Sequence, residues 1–477
     1  LRPVAIAAKP AGMADEEQER RGAGEGLTAE TLAAIETALE AGDDAGVRAR
    51  AEALHPADIA DLFEKLDPTI RRRLAAALGP TLDAEVLAEL NDWVRDELLP
   101  ALSAEQVADA VADLDTDDAV AILEDLGPAE QQAVLDELDA PDRAVLESAL
   151  AYPEDSAGRL MQRDLVAVPE HFTIGDVIDF LRAGDKAQVD FWEVFVVDPG
   201  FRPVGTMRLS WILTAGRDRP VRDVMQREQT LIPVAMDQEE VARRFTRYAL
   251  ISAAVVDESG RLVGQITADD IVHIVSEEAG EDILKLSGAG EGDINEPVLD
   301  SYRARVRWLV ANLGTALVSA FVISLFGGTI EEMVVLAALS PVVASIGGNA
   351  GNQTMAVIVR ALATGQLAER NARRTLVKEL KVAGLNGTTI ALILGIGVAL
   401  VLEDSALGLV IGMATLFNIL VAGLGGTLLP LALRRLGVDP AVASSVFVTF
   451  LTDVMGFFLF LGLAAWSGLA SGLAGGR

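Results

Sequence analysis

The 477-residue chain changes its hydrophobic rhythm twice. From Leu54, leucine returns at 66, 78, 90, 102, 114, 126, 138 and 150, a strict 12-residue period. Most of these leucines are succeeded directly by a helix stop or start, as in His55-Pro56, Asp67-Pro68, Asn91-Asp92 and Gly127-Pro128. Twelve residues hold one short helix and a turn, so two units make a helix pair of the kind that stacks into a superhelix. This predicts an all-helical repeat domain over 27–152; a plain helical bundle with coincidental phasing is the alternative. The polar stretch 1–26 ahead of it reads as a disordered tail.

A β-rich unit then occurs twice over 153–275. Met161-Gln162-Arg163 returns as Met225-Gln226-Arg227, and Val196-Val197-Asp198 with Gly205 returns as Val255-Val256-Asp257 with Gly264. Each branched run leads through a Gly turn into a second strand and a helix, which predicts two α/β units of βαββα order. A connecting helix and linker come next, over 270–300. The helix carries Glu277, Glu278, Glu281 and Asp282. Glu278 and Asp282 share a face at i, i+4, where like charges repel unless a cation lies between them. The helix is thus a candidate ion sensor, with a solvated acidic face as the alternative. GAGEGDINEP reads as a flexible linker.

The third rhythm is that of a membrane. Five apolar segments fall at roughly 306–326, 332–362, 379–402, 406–433 and 441–469, each long enough to cross about 30 Å of hydrocarbon. They predict an α-helical, five-span pore domain over 301–477. The second segment contains SPVVASIGGNAGNQT, with Pro341, three glycines, Asn349, Asn352 and Gln353. Hydrocarbon offers no water to a broken backbone, so a break here is expected to line a wet cavity or be buried in protein. Asp453 stands alone among apolar residues in the last segment. A carboxylate at that depth costs a few kcal/mol and by default faces an ion, a proton or a partner. Arg303, Arg305 and Arg307, the cluster from Arg360 to Lys381, and Arg434 with Arg435 mark one side of the membrane. The positive-inside rule then puts the N-terminus in the cytoplasm and the C-terminus outside a plasma or inner membrane.

Charge sharpens the picture. Before residue 301 there are 63 acidic and 27 basic residues, and from there on 8 and 12. So acidic a soluble half argues against nucleic acid and would attract cations, though most of its acids also serve solubility. There is no Cys and only His55, His171 and His273, too few and too scattered for a zinc or iron centre. No phosphate-binding Gly-Lys loop and no nucleophile with its base is present, so the chain is not expected to be an enzyme.

Mg2+ keeps its waters, and a path for it needs few charges but many polar oxygens to accept hydrogen bonds from those waters. Asp453, Thr449, Thr452, Asn418, Asn349, Asn352 and Gln353 fit that demand and are the predicted lining. Five spans rarely enclose a pore alone, which predicts a C2 homodimer with two Asp453 carboxylates on the axis.

The order of parts, together with PVVASIGGNAGNQT and DPAVASSVFVTFLTDVMGFF, resembles the MgtE family of magnesium channels or transporters over about residues 50–470. The resemblance implies a homodimer in which Asp453 holds a hydrated Mg2+ in the pore. It also implies closure by cytosolic Mg2+ bound between the acidic domains, with Glu105, Asp109, Asp270, Glu278, Glu281 and Asp282 at the sensor positions. The repeated β unit looks like a tandem CBS pair. GRLVGQITADDIV places Thr267 and Asp270 where the ribose contact would lie, which makes ATP a candidate ligand. Trp211 stands where an acid is usual in the first copy, so a purely structural pair remains the alternative. Ala249 and His273 replace expected acids, and Ser445-Val446 replaces Asn-Pro near the pore, which implies weaker closure by Mg2+. Two rivals stay open: a secondary transporter or exchanger of Co2+ or another divalent ion, and a non-conducting membrane sensor.

Overall fold

The structure is a computed structural model, and it describes residues 26–79, 82–183, 191–287, 292, 294–441 and 444–468. The expected tail and much of the GAGEGDINEP linker lie outside the described residues. The chain forms two compact units, Leu1–Ser276 and Glu277–Arg477.

The first unit opens with helices α1 (Ala29–Ala41) and α2 (Asp44–Ala51), and the 12-residue rhythm then becomes visible as structure. Helices α3 (Pro56–Lys65), α4 (Pro68–Leu78), α5 (Ala84–Glu89), α6 (Asp92–Leu98), α7 (Ala104–Asp113), α8 (Thr116–Glu124), α9 (Pro128–Glu137) and α10 (Ala140–Leu150) succeed one another with short turns. Leu66, Leu90, Leu114 and Leu138 are the C-caps, each with an extended ψ near 150° that turns the chain into the next helix. Proline at the first helical position and the Ser103–Gln106 capping box start several of these helices. Helices two apart pack together, α3 on α5, α7 on α9 and α8 on α10, which is superhelical stacking.

The two β units are near-copies. β1 (Ala167–Pro169), β2 (Glu193–Val197) and β3 (Pro203–Arg208) form one sheet, with α11 (Ile174–Arg182) after β1 and α12 (Leu209–Thr214) after β3. β4 (Leu231–Pro233), β5 (Ser252–Val256) and β6 (Leu262–Thr267) form the other, with α13 (Gln238–Tyr248) after β4 and α14 (Ala268–Ser287) after β6. In both sheets the first pair is parallel and the second antiparallel, with a bulge at the end of the middle strand. Phe195, Val197, Ala254 and Leu262 form a shared core between the copies. The units also exchange their leading segments. Gln162 exchanges backbone hydrogen bonds with Gln265 of β6, and Gln226 does so with Thr206 of β3. Met161 lies against Gly264 and Met225 against Gly205, where a Cβ would come within 2.7 and 2.8 Å of the respective sulfur atoms.

The second unit contains α15 (Val298–Ser324), a short α16 (Gly327–Glu332), α17 (Val335–Ala363), α18 (Glu369–Val401), α19 (Ser405–Arg435) and α20 (Ser444–Trp466). Four of these, α15, α18, α19 and α20, are long and apolar enough to cross a membrane. The fifth expected span is α17, whose Asn349, Asn352 and Gln353 dilute its apolarity; its 29 residues still reach about 43 Å. The expected break is absent: α17 is one continuous helix through Pro341 and all three glycines. Pro341 sits in the second turn, and Ser340 beside it donates its hydroxyl to the Leu336 carbonyl at 2.7 Å. The glycines serve close approach instead. A Cβ on Gly351 would meet Val448 at 2.5 Å, and one on Gly426 would meet the Gly351 carbonyl at 2.6 Å. Helices α17, α19 and α20 pack mutually, while α18 rests on α19 and α15 on α20.

Candidate ion site

Asp453 lies in the middle of α20, half-buried, with Thr449 exposed one turn before it. α20 runs antiparallel to α17, and the contact points fix the register. A Cβ on Gly456 would lie 3.2 Å from Ala344, one on Gly348 would lie 3.7 Å from the Thr452 hydroxyl, and Gly351 abuts Val448. Asp453 therefore stands at the depth of Gly347 and Gly348, within a turn of Asn349. On α17, Ser345, Asn349 and Gln353 recur at i, i+4, i+8 and are exposed. Two polar stripes, one per helix, thus flank a seam of small residues.

The other predicted lining residues fall behind that seam. Asn418 is 0 % exposed, which corrects the expectation that it lines an open path. Its amide donates to the Val343 carbonyl at 3.0 Å, and it fills a notch made by Gly347 of α17 and Gly456 of α20. Thr452 is likewise fully buried and donates to Val448 and Thr449 carbonyls of its own helix, both at 3.0 Å. Asn418 braces α19 against α17, whereas Thr452 bonds within α20 and packs beside Gly348 of α17. Asn352 is half-buried, and its Oδ1, like that of Asn418, is a buried acceptor without a hydrogen-bond partner. Such oxygens are where ordered water is usual.

The sensor acids divide in the same way. Glu105 and Asp109 are exposed one turn apart on α7. Asp270 accepts from the Thr267 hydroxyl at 2.7 Å and from its backbone N–H at 3.2 Å, with the Gln162 amide 3.3 Å away. The two predicted nucleotide contacts therefore cap the start of α14 together. Asp117 and Asp118, which sequence reasoning passed over, face Asp270. Burial, then the nearby Asp270 carboxylate, push Asp117 well above the usual carboxylate range and Asp118 up to about 6. Asp117 Oδ1 is a further buried acceptor without a partner. The signal was the run Asp115-Thr116-Asp117-Asp118 at a helix start, which reads as ordinary capping until the β unit is brought beside it.

On α14, Glu278 is half-buried and the Asp282 side chain lies outside the described set. Glu281 already has a cation, because Lys285 is hydrogen-bonded to it and also reaches Asp439 at 2.9 Å. Partial burial works against the Lys285 charge, but the two carboxylates outweigh it and hold its pKa above the ordinary value. Among the described residues, no three carboxylate or imidazole groups converge as a metal cage. In the first β unit, Arg208 stacks over Trp211 with its guanidinium 5.4 Å from the ring centre, where an acid was expected. A buried carboxylate was also missed in the second unit: Glu379 of α18 is 5 % exposed and pairs with Lys378 at 3.0 Å. Its place one turn before Ala383 and two before Gly387, on the face that meets α19, is the pattern that could have revealed it.

A family model described as a divalent cation transporter matches residues 340–463, one for the MgtE intracellular N domain matches 54–155, and one for the CBS domain matches 221–277. The magnesium transporter MgtE of Thermus thermophilus is 37% identical over 330 residues, covering 69% of this chain and 73% of that protein. The magnesium transporter MgtE of Bacillus subtilis is 30% identical over 331 residues, with the same two shares. The crystal structure of the cytosolic domain of the Mg2+ channel MgtE in complex with ATP is similar to 51% of this chain and is itself 99% covered, at 32% identity and a TM-score of 0.47. Helical N domain, paired β units, connecting helix and polar-striped spans thus occur in one order with matching sequence, and the chain belongs to the MgtE family of magnesium transporters.

Proposed function

We propose that this chain is one protomer of a homodimeric Mg2+ channel that admits the ion down its electrochemical gradient into the cell, with the N-terminal unit cytoplasmic and the C-terminus outside. The observation that carries this is the depth match between Asp453 and Asn349 on packed, antiparallel α20 and α17. One carboxylate with amide and hydroxyl oxygens around it suits an ion that enters with its waters. A second copy supplies the other wall, since the two stripes point out of the three-helix core instead of into it.

Closure originates in the acidic first unit. The Asp270 carboxylate opposes the charge of Asp117 and of Asp118 where the repeat domain meets the β units, and Mg2+ drawn to this acidic surface from the cytosol eases that repulsion without a three-carboxylate cage among the described residues. Free energy from this binding shifts the gate only by the difference in affinity between its states. ATP at the β-unit pair is a modulator in this scheme, with Thr267 and Asp270 as its contacts. The test is Mg2+ influx into liposomes holding the purified protein. Asp453→Ala should reduce influx to that of empty vesicles while leaving the dimer intact by size; influx equal to the unsubstituted protein would refute the assignment. Single-channel currents without proton flux separate this mechanism from an exchanger.

A further inference from the structure

The N-terminal half of α18 carries Arg370, Arg373, Arg374, Lys378 and Lys381, all exposed. They line one shallow groove along the helix with Val377, Val382 and Leu385. At 100° per residue these positions share a face, and Arg370–Arg374 and Arg374–Lys378 are like-charged i, i+4 neighbours. Arg370 also lies in the first turn of the helix, at the positive end of its dipole, where a cation is disfavoured. Among the described residues only Glu379 pairs with any of them, through Lys378. The arrangement is costly as it stands, and an anion would relieve it.

The same face identifies the anion. Past Lys381 it continues as Leu385, Leu392 and Ile396, which are 72%, 57% and 56% exposed. A hydrocarbon core takes about 20 residues of helix. The stretch 382–401 fills it, which leaves all five cations outside at the headgroup level. We propose that this face binds an anionic phospholipid, its phosphate held by Arg374, Lys378 and Lys381 and its acyl chain laid along Leu385, Leu392 and Ile396. Arg370 and Arg373 stand further out and add to the field within a Debye length. A soluble phosphate satisfies only the upper half of this face.

Native mass spectrometry of the full-length protein, titrated with phosphatidylglycerol or phosphatidylcholine, tests this. Phosphatidylglycerol adducts should dominate, and the triple substitution R374Q/K378Q/K381Q should weaken them by about a factor of five per cation removed. K378R/K381R should keep the preference, which separates lost charge from misfolding. Equal adducts of the two lipids overturn the proposal, as does a triple variant that folds and keeps its preference. Displacement of phosphatidylglycerol by millimolar glycerol phosphate overturns it in favour of a free-phosphate site.

Discussion

The ammonium of Lys285 lies 2.9 Å from the Asp439 carboxylate, so the last turn of α14 is tied to the loop between α19 and α20. Leu286, the next residue, packs against a cluster of Met355, Val359, Ala441 and Val448. A charge carried by the chain itself thus links the connecting helix to the helices that hold Asn349 and Asp453. Lys285→Gln should loosen this link by about 1 kcal/mol, as expected for a half-exposed pair. Measured as Mg2+-dependent protection of the linker from protease, the midpoint should move upward by about fivefold. An unmoved midpoint would mean that the pair has no part in closure.

Asn418 and Gly347 should behave as one unit. A Cβ at Gly347 would lie 2.1 Å from the Asn418 amide nitrogen. Gly347→Ala should therefore lower stability in detergent by about 1–3 kcal/mol, the usual cost of overpacking. Asn418→Ala alone removes a buried hydrogen bond and leaves a cavity, costing about 2–4 kcal/mol. In the double variant the new methyl occupies the vacated space, so thermal melts should show a loss smaller than the sum of the two.

The exchanged methionines make a similar prediction in the first unit. Gly264→Ala would press on Met161 and on the Gln162 carbonyl, the latter 2.9 Å from the added carbon. A backbone carbonyl cannot step aside as a side chain does. Met161→Ala should therefore rescue Gly264→Ala only in part, measured by urea denaturation of the full chain.

Acidity should strengthen the first unit. Asp118 ionises in the folded protein only near pH 6, against 3.8 for an unperturbed aspartate, because burial and then Asp270, Asp115 and Glu89 oppose its charge, with His273 working the other way. The folded state thus holds the proton more tightly than the unfolded one. Its stability is greatest below about 3.8, falls as pH rises towards 6 and is level above that. Asp118→Asn should flatten this window and raise stability at pH 7 by about 1 kcal/mol, well below the full shift because its outer edge stays in water. Mg2+ should stabilise the unsubstituted protein more than this variant; equal effects would remove Asp118 from the sensor.

Regularities that one helix or strand expresses alone were readable from the chain. The leucine period marks helix ends because twelve residues is the length of a helix and its turn. The repeated Met-Gln-Arg and Val-Val-Asp runs mark two copies of one unit, and the apolar segments mark spans because a bilayer sets a length. Asp453 stood out because a carboxylate is costly in hydrocarbon.

Features that depend on which elements meet were hidden. Pro341 and the glycines of α17 read as a break, but the helix runs on through Pro341, and only the packed helices turn Gly347 and Gly351 into contact points for Asn418 and Val448. Asn418 read as lining until its amide found the Val343 carbonyl. Lys285 stands one turn from Glu281 on the same helix and was legible as its partner, but its second carboxylate, Asp439, needed the fold, and the Asp117–Asp270 repulsion needs the repeat domain to touch the second β unit. Sequence records the donors, acceptors and charges along a chain; their partners lie tens or hundreds of residues away, and folding alone brings them within the few ångströms over which hydrogen bonds and charges act.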